Sequence, residues 1–194
     1  MIKRALISVY DKKDIVELAQ GLSELGVEIV SSSGTYNALK DAGIAVTDVP
    51  SITEFPECLG GRVKTIHPKI AGGILAIRGN EEHMRQVAEN EIPLTDMVVL
   101  NLYPFKDTIS KEDASILDAI TKTDIGGPTN IRAAAKNYND VVVIVDPADY
   151  PVILEEMRQN AGEVGQATKA RLMQKVWACM SAYDTQINNF SPFL

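Results

Sequence analysis

The chain has 194 residues, of which 45% are hydrophobic and 23% are charged, and its formal net charge is −7. These values are typical of a soluble protein that is long enough to bury a substantial core. The acidic balance argues against broad positive surfaces for nucleic acid or anionic membranes. The sequence contains no run of about 18 apolar residues, so we expect no membrane span. The start, MIKRALISVY, lacks a signal-peptide pattern, and Cys58 and Cys179 lie far apart, so we expect a cytoplasmic protein with reduced thiols.

The predicted elements alternate between short β-branched runs and amphipathic helical windows. In chain order they are a strand at 5–9, a helix at 12–25, a strand at 27–31, a short helix at 35–43 and a strand at 45–49. A loop punctuated by Pro and Gly follows at 50–73, then a strand at 73–77, a helix at 81–89 and a strand at 97–102. A helix from 110 through 120, a helix at 128–137, a strand at 141–145 and helices at 149–159 and 166–188 complete the order.

Capping residues mark several of these helix starts. Asp11 and Thr35 are predicted N-caps of the first two helices, and Ser110 with Asp113 resembles a capping box. The β-α-β alternation predicts an α/β fold, a single domain over 1–194 with an open, mainly parallel sheet flanked by helices. Ligands of such sheets bind beyond the carboxyl ends of the strands.

The segment 61–73 (GRVKTIHPKIAGG) gathers three cations, a histidine, a hydroxyl and three glycines in an acidic chain. Arg and Lys bind phosphate as a planar fork and a point charge, and Gly lets the backbone approach a ligand. The segment therefore predicts a site for a small anion, with Arg62 and Lys64 as candidates. A solvated basic loop is the alternative and is favoured for Lys69. His67 precedes a proline and has no evident carboxylate partner, so we interpret it as structural.

Four further polar clusters follow predicted strands, at 8–12, 31–35, 101–105 and 124–137. The SSSGT run at 31–35 predicts either a phosphate cradle at a helix N-terminus or a plain strand-to-helix turn. Tyr103 is a hydrogen-bond donor for a developing charge or a half-buried tyrosine at a strand end. Asp124, before a helix N-terminus, is a functional acid or a cap, and Lys136 is a functional cation or complements the helix dipole.

Six motifs together resemble the IMP cyclohydrolase domain family, the N-terminal half of the bifunctional purine biosynthesis protein. They are SVYDK (8–12), SSSGT (31–35), FPECLGGRVKTIHPKIAGGIL (55–75), NLYPF (101–105), DIGGPTNIRAAAKN (124–137) and AYD (182–184). The resemblance covers essentially the whole chain and implies a methylglyoxal-synthase-like fold and a homodimer. It implies closure of 5-formamidoimidazole-4-carboxamide ribotide to IMP with loss of water, with no metal or cofactor.

The same resemblance implies the residues of the site. The family's catalytic positions fall on Lys64, Tyr103, Asp124 and Lys136. Its nucleotide contacts fall on Tyr10, Asp11, Lys12, Ser32, Ser33, Gly34, Thr35, Arg62, Val63, Thr65, Leu100, Asn101 and Ile125, of which Lys12, Ser32, Gly34 and Thr35 would hold the phosphate. In the implied mechanism, Lys64 and Tyr103 stabilise the formyl oxyanion. Asp124 orients or deprotonates the carboxamide, and Lys136 shuttles the proton.

Three positions depart from the family pattern. Tyr10 stands where a small Ser is common, Ser33 where Gly is usual, and Ala71 where a His is common. The transformylase half is absent from this sequence. The chain is therefore either an excised domain or a stand-alone cyclohydrolase that receives its substrate from a separate formylating enzyme.

Two other functions fit parts of the same pattern. A methylglyoxal synthase would share the fold and the phosphate cradle, but the motifs at 101–105 and 124–137 disfavour it. A non-catalytic nucleotide sensor of this fold would not require all four catalytic positions, and all four are present.

Overall fold

The fold is built on one sheet of five parallel strands, in a computed structural model that describes residues 1–103, 105, 107 and 115–190. The strands are β1 (Arg4–Ile7), β2 (Glu28–Ser31), β3 (Thr47–Asp48), β4 (Met97–Val99) and β5 (Val142–Ile144). Their order is β3-β2-β1-β4-β5, and each neighbouring pair runs parallel. The predicted α/β class with a mainly parallel sheet is confirmed.

Helices cover both faces of this sheet. They are α1 (Ile15–Glu24), α2 (Ser33–Asp41), α3 (Val49–Thr53), α4 (Pro68–Leu75), α5 (Glu81–Glu89), α6 (Ile116–Lys122), α7 (Gly126–Lys136), α8 (Tyr150–Gln159) and α9 (Gln166–Asn188), with short 3-10 turns at Leu59–Gly61 and Pro147–Asp149. Within the described part of the chain, none of the helices has the length and apolar character needed to cross a membrane.

The predicted strand at 73–77 is wrong, and so is the uninterrupted loop at 50–73. Helix α4 occupies most of the predicted strand, with Pro68 in its first turn and the Nδ1 atom of His67 accepting a hydrogen bond from the Lys69 backbone N–H at 3.2 Å. Helix α3 begins after Asp48, whose side chain accepts from the Ser51 N–H. A short apolar run does not distinguish a strand from a buried helix, which explains the error.

The predicted caps of the first two helices are also wrong. Helix α1 begins three residues later than predicted, and Asp11 accepts a hydrogen bond from the Lys13 N–H instead. Thr35 lies inside α2, where its hydroxyl bonds the backbone of Val9. The capping box predicted at Ser110 and Asp113 lies outside the described residues. The strand predicted at 97–102 ends at Val99. Leu100 and Asn101, which follow it, line the cleft described below.

Two apolar cores lie on opposite faces of the sheet because strand side chains alternate between them. One core contains Ala5, Ile7, Ile29, Met97, Val99, Val142 and Ile144 with residues of α1 and α8. The other contains Leu6, Val30, Val98 and Val143 with residues of α4, α7 and α9. Val176 and Met180 of α9 belong to the second core, whereas Trp177 is 43% exposed.

A buried carboxylate ties α9 to the turn before α8. Asp149 is 4% exposed and accepts hydrogen bonds from Arg171 and Lys175, each at 2.7 Å, and Lys175 also donates to Asp146 at 2.9 Å. Removing one donor from a buried carboxylate leaves that group under-bonded. The cluster therefore stabilises the sheet's outer helices.

We expect Lys175→Met to lower the free energy of unfolding by about 1–3 kcal/mol, measured by urea denaturation, because Asp149 loses a charged donor. Arg85→Met is the control, since the ion pairs of Arg85 are with the exposed Glu82 and Glu89. The control should leave the unfolding midpoint nearly unchanged. Equal losses in both variants would contradict a structural role for the Asp149 cluster.

Candidate active site

A cleft opens at the carboxyl ends of the strands, where the strand order changes direction between β1 and β4. Ligands of open parallel sheets bind at such a switch point. The cleft has a volume of about 740 Å³, which suits a small-molecule ligand. Its walls are Ser8, Val9, Tyr10, Lys12, Ser32, Ser33, Gly34, Thr35, Gly60, Gly61, Arg62, Lys64, Thr65, Ile66, Leu100, Asn101, Tyr103, Ile120, Thr121, Lys122, Thr123, Asp124, Ile125, Gly126 and Gly127.

Asn101 joins the two segments that flank the switch point. Its Oδ1 atom accepts hydrogen bonds from the backbone N–H groups of Tyr10 and Asp11, at 2.6 and 3.0 Å, and its Nδ2 atom donates to the Asp11 carbonyl at 3.0 Å. The segment after β4 thus fixes the backbone of the segment after β1. Asn101 shapes the floor of the cleft through this contact.

One end of the cleft is the N-terminus of α2. The N-cap position, Ser32, makes no side-chain cap, so the first N–H groups of the helix remain available to an anion. Thr35 does not contribute its hydroxyl there, because that group both accepts from the Val9 N–H at 3.1 Å and donates to the Val9 carbonyl at 3.0 Å. This end of the cleft is suited to a phosphate group.

Lys12 adds a cation to the same end. Its ammonium donates to the carbonyls of Val9 and Tyr10. Burial lowers the pKa of Lys12, and the charge of Asp11 opposes that shift. A phosphate that replaced the two neutral carbonyls as acceptor would be a stronger, charge-assisted partner.

The other end of the cleft contains Asp124. Its Oδ1 atom accepts from the Gly127 N–H at 3.0 Å, and its own N–H donates to the Tyr183 hydroxyl at 2.7 Å. A side chain at Gly127 would collide with the Asp124 carboxylate, so the helix start must be glycine for the carboxylate to sit there. Burial raises the pKa of Asp124, while the Gly127 hydrogen bond and the charge of Lys64 oppose the shift. A raised pKa makes this carboxylate a stronger proton acceptor than an aspartate in water.

Tyr103, in the same cleft, belongs to a small aromatic and cationic group. Its ring centre is 4.7 Å from that of Tyr10, and the Lys122 ammonium lies 5.5 Å from the Tyr103 ring centre. Tyr103 is 41% exposed, so its face and hydroxyl remain accessible to a ligand. Tyr10, which replaces a small residue of the family pattern, packs on this ring rather than filling the phosphate end.

Lys64 follows the 3-10 turn at Leu59–Gly61, and it lines the cleft. Its ammonium donates to the Ser33 hydroxyl at 3.0 Å and lies 3.9 Å from a Glu57 carboxylate oxygen. Lys64 therefore contacts the first residue of α2, and its charge also acts on the buried Asp124.

The structure brings most of the predicted residues to this cleft and leaves three of them out of its walls. Asp11 and Val63 contribute backbone contacts nearby, Val63 through a bridge to Cys58. Lys136 is exposed at the far end of α7, ten residues beyond the helix start that lines the cleft. At about 1.5 Å per residue, this places it roughly 15 Å from that start.

Sequence reasoning missed three residues that contact the predicted site residues. Lys122, Glu57 and Tyr183 contact Tyr103, Lys64 and Asp124 respectively. Lys122 lies two residues before the first residue of the DIGGPT motif, and Glu57 and Tyr183 lie inside quoted motifs. Adjacency to the motifs was the only available signal, since the partners are distant along the chain.

The architecture defines a class of protein. Residues 14–129 match the MGS-like domain family, which agrees with the parallel sheet and the cleft at its carboxyl edge. Residues 134–192 match the AICARFT/IMPCHase bienzyme family. The chain belongs to the MGS-like domain family, and the two matches together agree with the resemblance drawn from its motifs.

Relatives agree with this assignment. The chain is 58% identical over 190 residues to the bifunctional purine biosynthesis protein PurH of Acetivibrio thermocellus, and 56% identical over 190 residues to that of Ruminiclostridium cellulolyticum. Each match covers 98% of this chain and 37% of the relative, so the chain spans just over a third of their length. The crystal structure of ForH superposes with a TM-score of 0.86 at 36% identity, covering 97% of this chain and 98% of that one.

Proposed function

We propose that this chain is an IMP cyclohydrolase, which closes 5-formamidoimidazole-4-carboxamide ribotide to IMP and releases water. The observation that supports the proposal most is that one cleft contains Lys64, Tyr103 and Asp124 together with the open N-terminus of α2. An anion site and an acid–base site at opposite ends suit a nucleotide monophosphate. Relatives of the bifunctional purine biosynthesis family match 98% of the chain.

The proposed orientation of the nucleotide follows from these two ends. The 5′-phosphate binds the N–H groups of α2, with Lys12 as its cation and Arg62 at the mouth of the cleft. The imidazole lies toward Tyr103 and Asp124. Ile125 and Leu100 line the wall between the strand ends and α7.

Ring closure joins two groups of the same molecule, so holding them in contact removes much of the barrier. The carboxamide nitrogen forms a bond to the formyl carbon, and the formyl C=O bond opens to an oxyanion. Lys64 and Tyr103 donate hydrogen bonds to that oxyanion, and Asp124 accepts the proton from the carboxamide nitrogen. Protonation of the oxygen gives a carbinolamine. Loss of its hydroxyl, together with the proton of the former formamide nitrogen, gives water and the C=N bond of IMP.

The decisive assay supplies the formylated ribotide and follows IMP formation by ultraviolet absorbance. The proposal predicts turnover by the purified chain without added metal or cofactor. Tight IMP binding without turnover would instead indicate a nucleotide sensor. Release of phosphate from a triose phosphate would indicate a methylglyoxal synthase.

Lys136 is a separate question, because its ammonium does not reach the cleft of its own chain in this structure. If each site is built from one chain, Lys136→Gln should retain kcat within about threefold, because Lys136 lies at the far end of α7, roughly 15 Å along the helix from the residues that line the cleft. Steady-state kinetics on both proteins check this. A hundredfold loss of kcat with an unchanged unfolding temperature would show that Lys136 acts on substrate through a second copy or another conformation.

We also propose the setting of this activity. Residues 1–194 form one cyclohydrolase domain, which acts as a homodimer in the cytoplasm on a purine nucleotide and binds neither nucleic acid nor membrane. The half-exposed Trp177, between the buried Val176 and Met180 of α9, supports a protein partner. The reaction consumes a formylated ribotide, so a formylating enzyme must supply it. Light scattering measures the predicted dimer mass.

A further inference from the structure

Ser33 has a backbone conformation that is unfavourable for its residue type. Its φ is 50°, in the left-handed region, at the first position of α2. A non-glycine residue in this region is sterically unfavourable, and glycine would avoid the strain. Strain of this kind persists where the side chain has a role that compensates it.

The Ser33 side chain connects the two charged groups on the facing segment. Its hydroxyl accepts a hydrogen bond from the Lys64 ammonium at 3.0 Å and donates one to the Glu57 carboxylate at 3.0 Å. Lys64 and Glu57 are also 3.9 Å apart directly. Both hydrogen-bonding functions of the hydroxyl, donor and acceptor, are therefore used within the protein. A hydroxyl engaged in this way has no proton left to donate to a phosphate.

The turn opposite Ser33 leaves room for the Glu57 carboxylate. Gly61 has a φ of 85°, and a Cβ built on it would lie 2.8 Å from Glu57 Oε1. Any side chain at this position would push the carboxylate away from Ser33 and Lys64. The contact thus depends on a residue from each side of the cleft and on the absence of a side chain at Gly61.

We propose that Ser33 and Glu57 are positioning residues that hold the Lys64 ammonium at the cleft wall where the formyl oxygen develops its charge. The proposal rests on the proposed cyclohydrolase function. Ser33 then orients Lys64 and does not bind the phosphate, and Glu57 helps to orient the same lysine. Lys64 acts on the substrate, whereas Ser33 and Glu57 act through Lys64.

Ser33→Gly tests the first half of the proposal. The variant relaxes the backbone and removes the hydroxyl, so kcat should fall about tenfold, while KM stays within about twofold, because misplacing a donor mainly affects the transition state. Glu91→Gly is the matched control: Glu91 also has a left-handed backbone, with φ of 49°, but lies outside the cleft. The control should leave both constants unchanged. A raised KM with unchanged kcat would assign Ser33 to the phosphate and overturn the proposal, as would no change in either constant.

Glu57→Gln tests the second half through the two kinetic constants. The amide keeps the size of the side chain and removes the charge that lies 3.9 Å from the Lys64 ammonium. Misplacing a donor mainly affects the transition state, so kcat should fall several-fold while KM stays within about twofold. Glu54→Gln, which breaks the Lys69 pair on the same segment, should leave both constants unchanged. An unchanged kcat in Glu57→Gln overturns the proposal.

A second readout separates this proposal from the proposed function. Crystal structures of the parent and of Ser33→Gly give the position of the Lys64 ammonium without any substrate. An ammonium that moves away from the cleft wall in the variant supports the positioning role even if the parent makes no IMP. The same ammonium position in the two proteins refutes the positioning role even if the parent is an active cyclohydrolase.

Discussion

Lys64→Met should reduce kcat for ring closure by about a hundred- to a thousand-fold, the usual effect of removing one donor to a developing oxyanion. Methionine keeps much of the apolar stem and removes only the charged donor. Lys64 is the cation that lies between the anion end of the cleft and Asp124. The measurement is steady-state IMP formation at saturating substrate.

Lys69→Met is the matched control for that variant. Lys69 lies five residues further along the same segment and pairs with Glu54 at 2.5 Å, outside the cleft walls. It should retain the kcat of the parent. Equal losses in the two variants would mean that the segment needs positive charge in general, and Lys64 would then not be the oxyanion donor.

Asp124→Asn should lower kcat by about a hundredfold or more, because the amide cannot accept the carboxamide proton. The amide keeps the shape of the carboxylate, so the contacts to Gly127 and Tyr183 should survive. Asp184→Asn is the control and should remain active. It removes a carboxylate of α9 that forms an exposed ion pair with Arg132 of α7. Single-turnover kinetics separate the chemical step from product release.

The pH profile of the parent provides an independent check on Asp124. The base must be ionised, so kcat/KM falls on the acid side as Asp124 becomes protonated. Burial raises the pKa of Asp124 above the ordinary 3.8, so this limb should lie above 3.8 and should be absent from the residual activity of Asp124→Asn. An unchanged acid limb in the variant would mean that another group is the base.

Regular periodicity allowed much of the fold to be predicted from the sequence. The helices at Glu81–Glu89 and Gln166–Asn188 have the predicted bounds. Four of the five parallel strands lie within predicted runs, and β1 begins at Arg4, one residue before its run. Helix α4 was missed because its apolar run is short, and its packing against the rest of the protein determines its conformation. The caps were missed because Asp11 and Thr35 bond other backbone groups, which local sequence does not reveal.

The cleft was predictable as a location, because polar clusters follow the strands of a parallel sheet. Its internal contacts were not. Ser33 is 24 residues from Glu57 and 31 from Lys64, and Tyr183 is 59 residues from Asp124. Only the folded chain brings these pairs together. Lys136 differs from these residues, because it belongs to one of the motifs but does not line the cleft in this structure.

A crystal structure of the chain with bound IMP is the sharpest check on the proposed nucleotide site. We expect the phosphate at the first turn of α2, within hydrogen-bond distance of Lys12. We expect the purine ring toward Asp124, within reach of Lys64 and Tyr103. A purine at the α2 end, or IMP bound outside this cleft, would refute the proposed site.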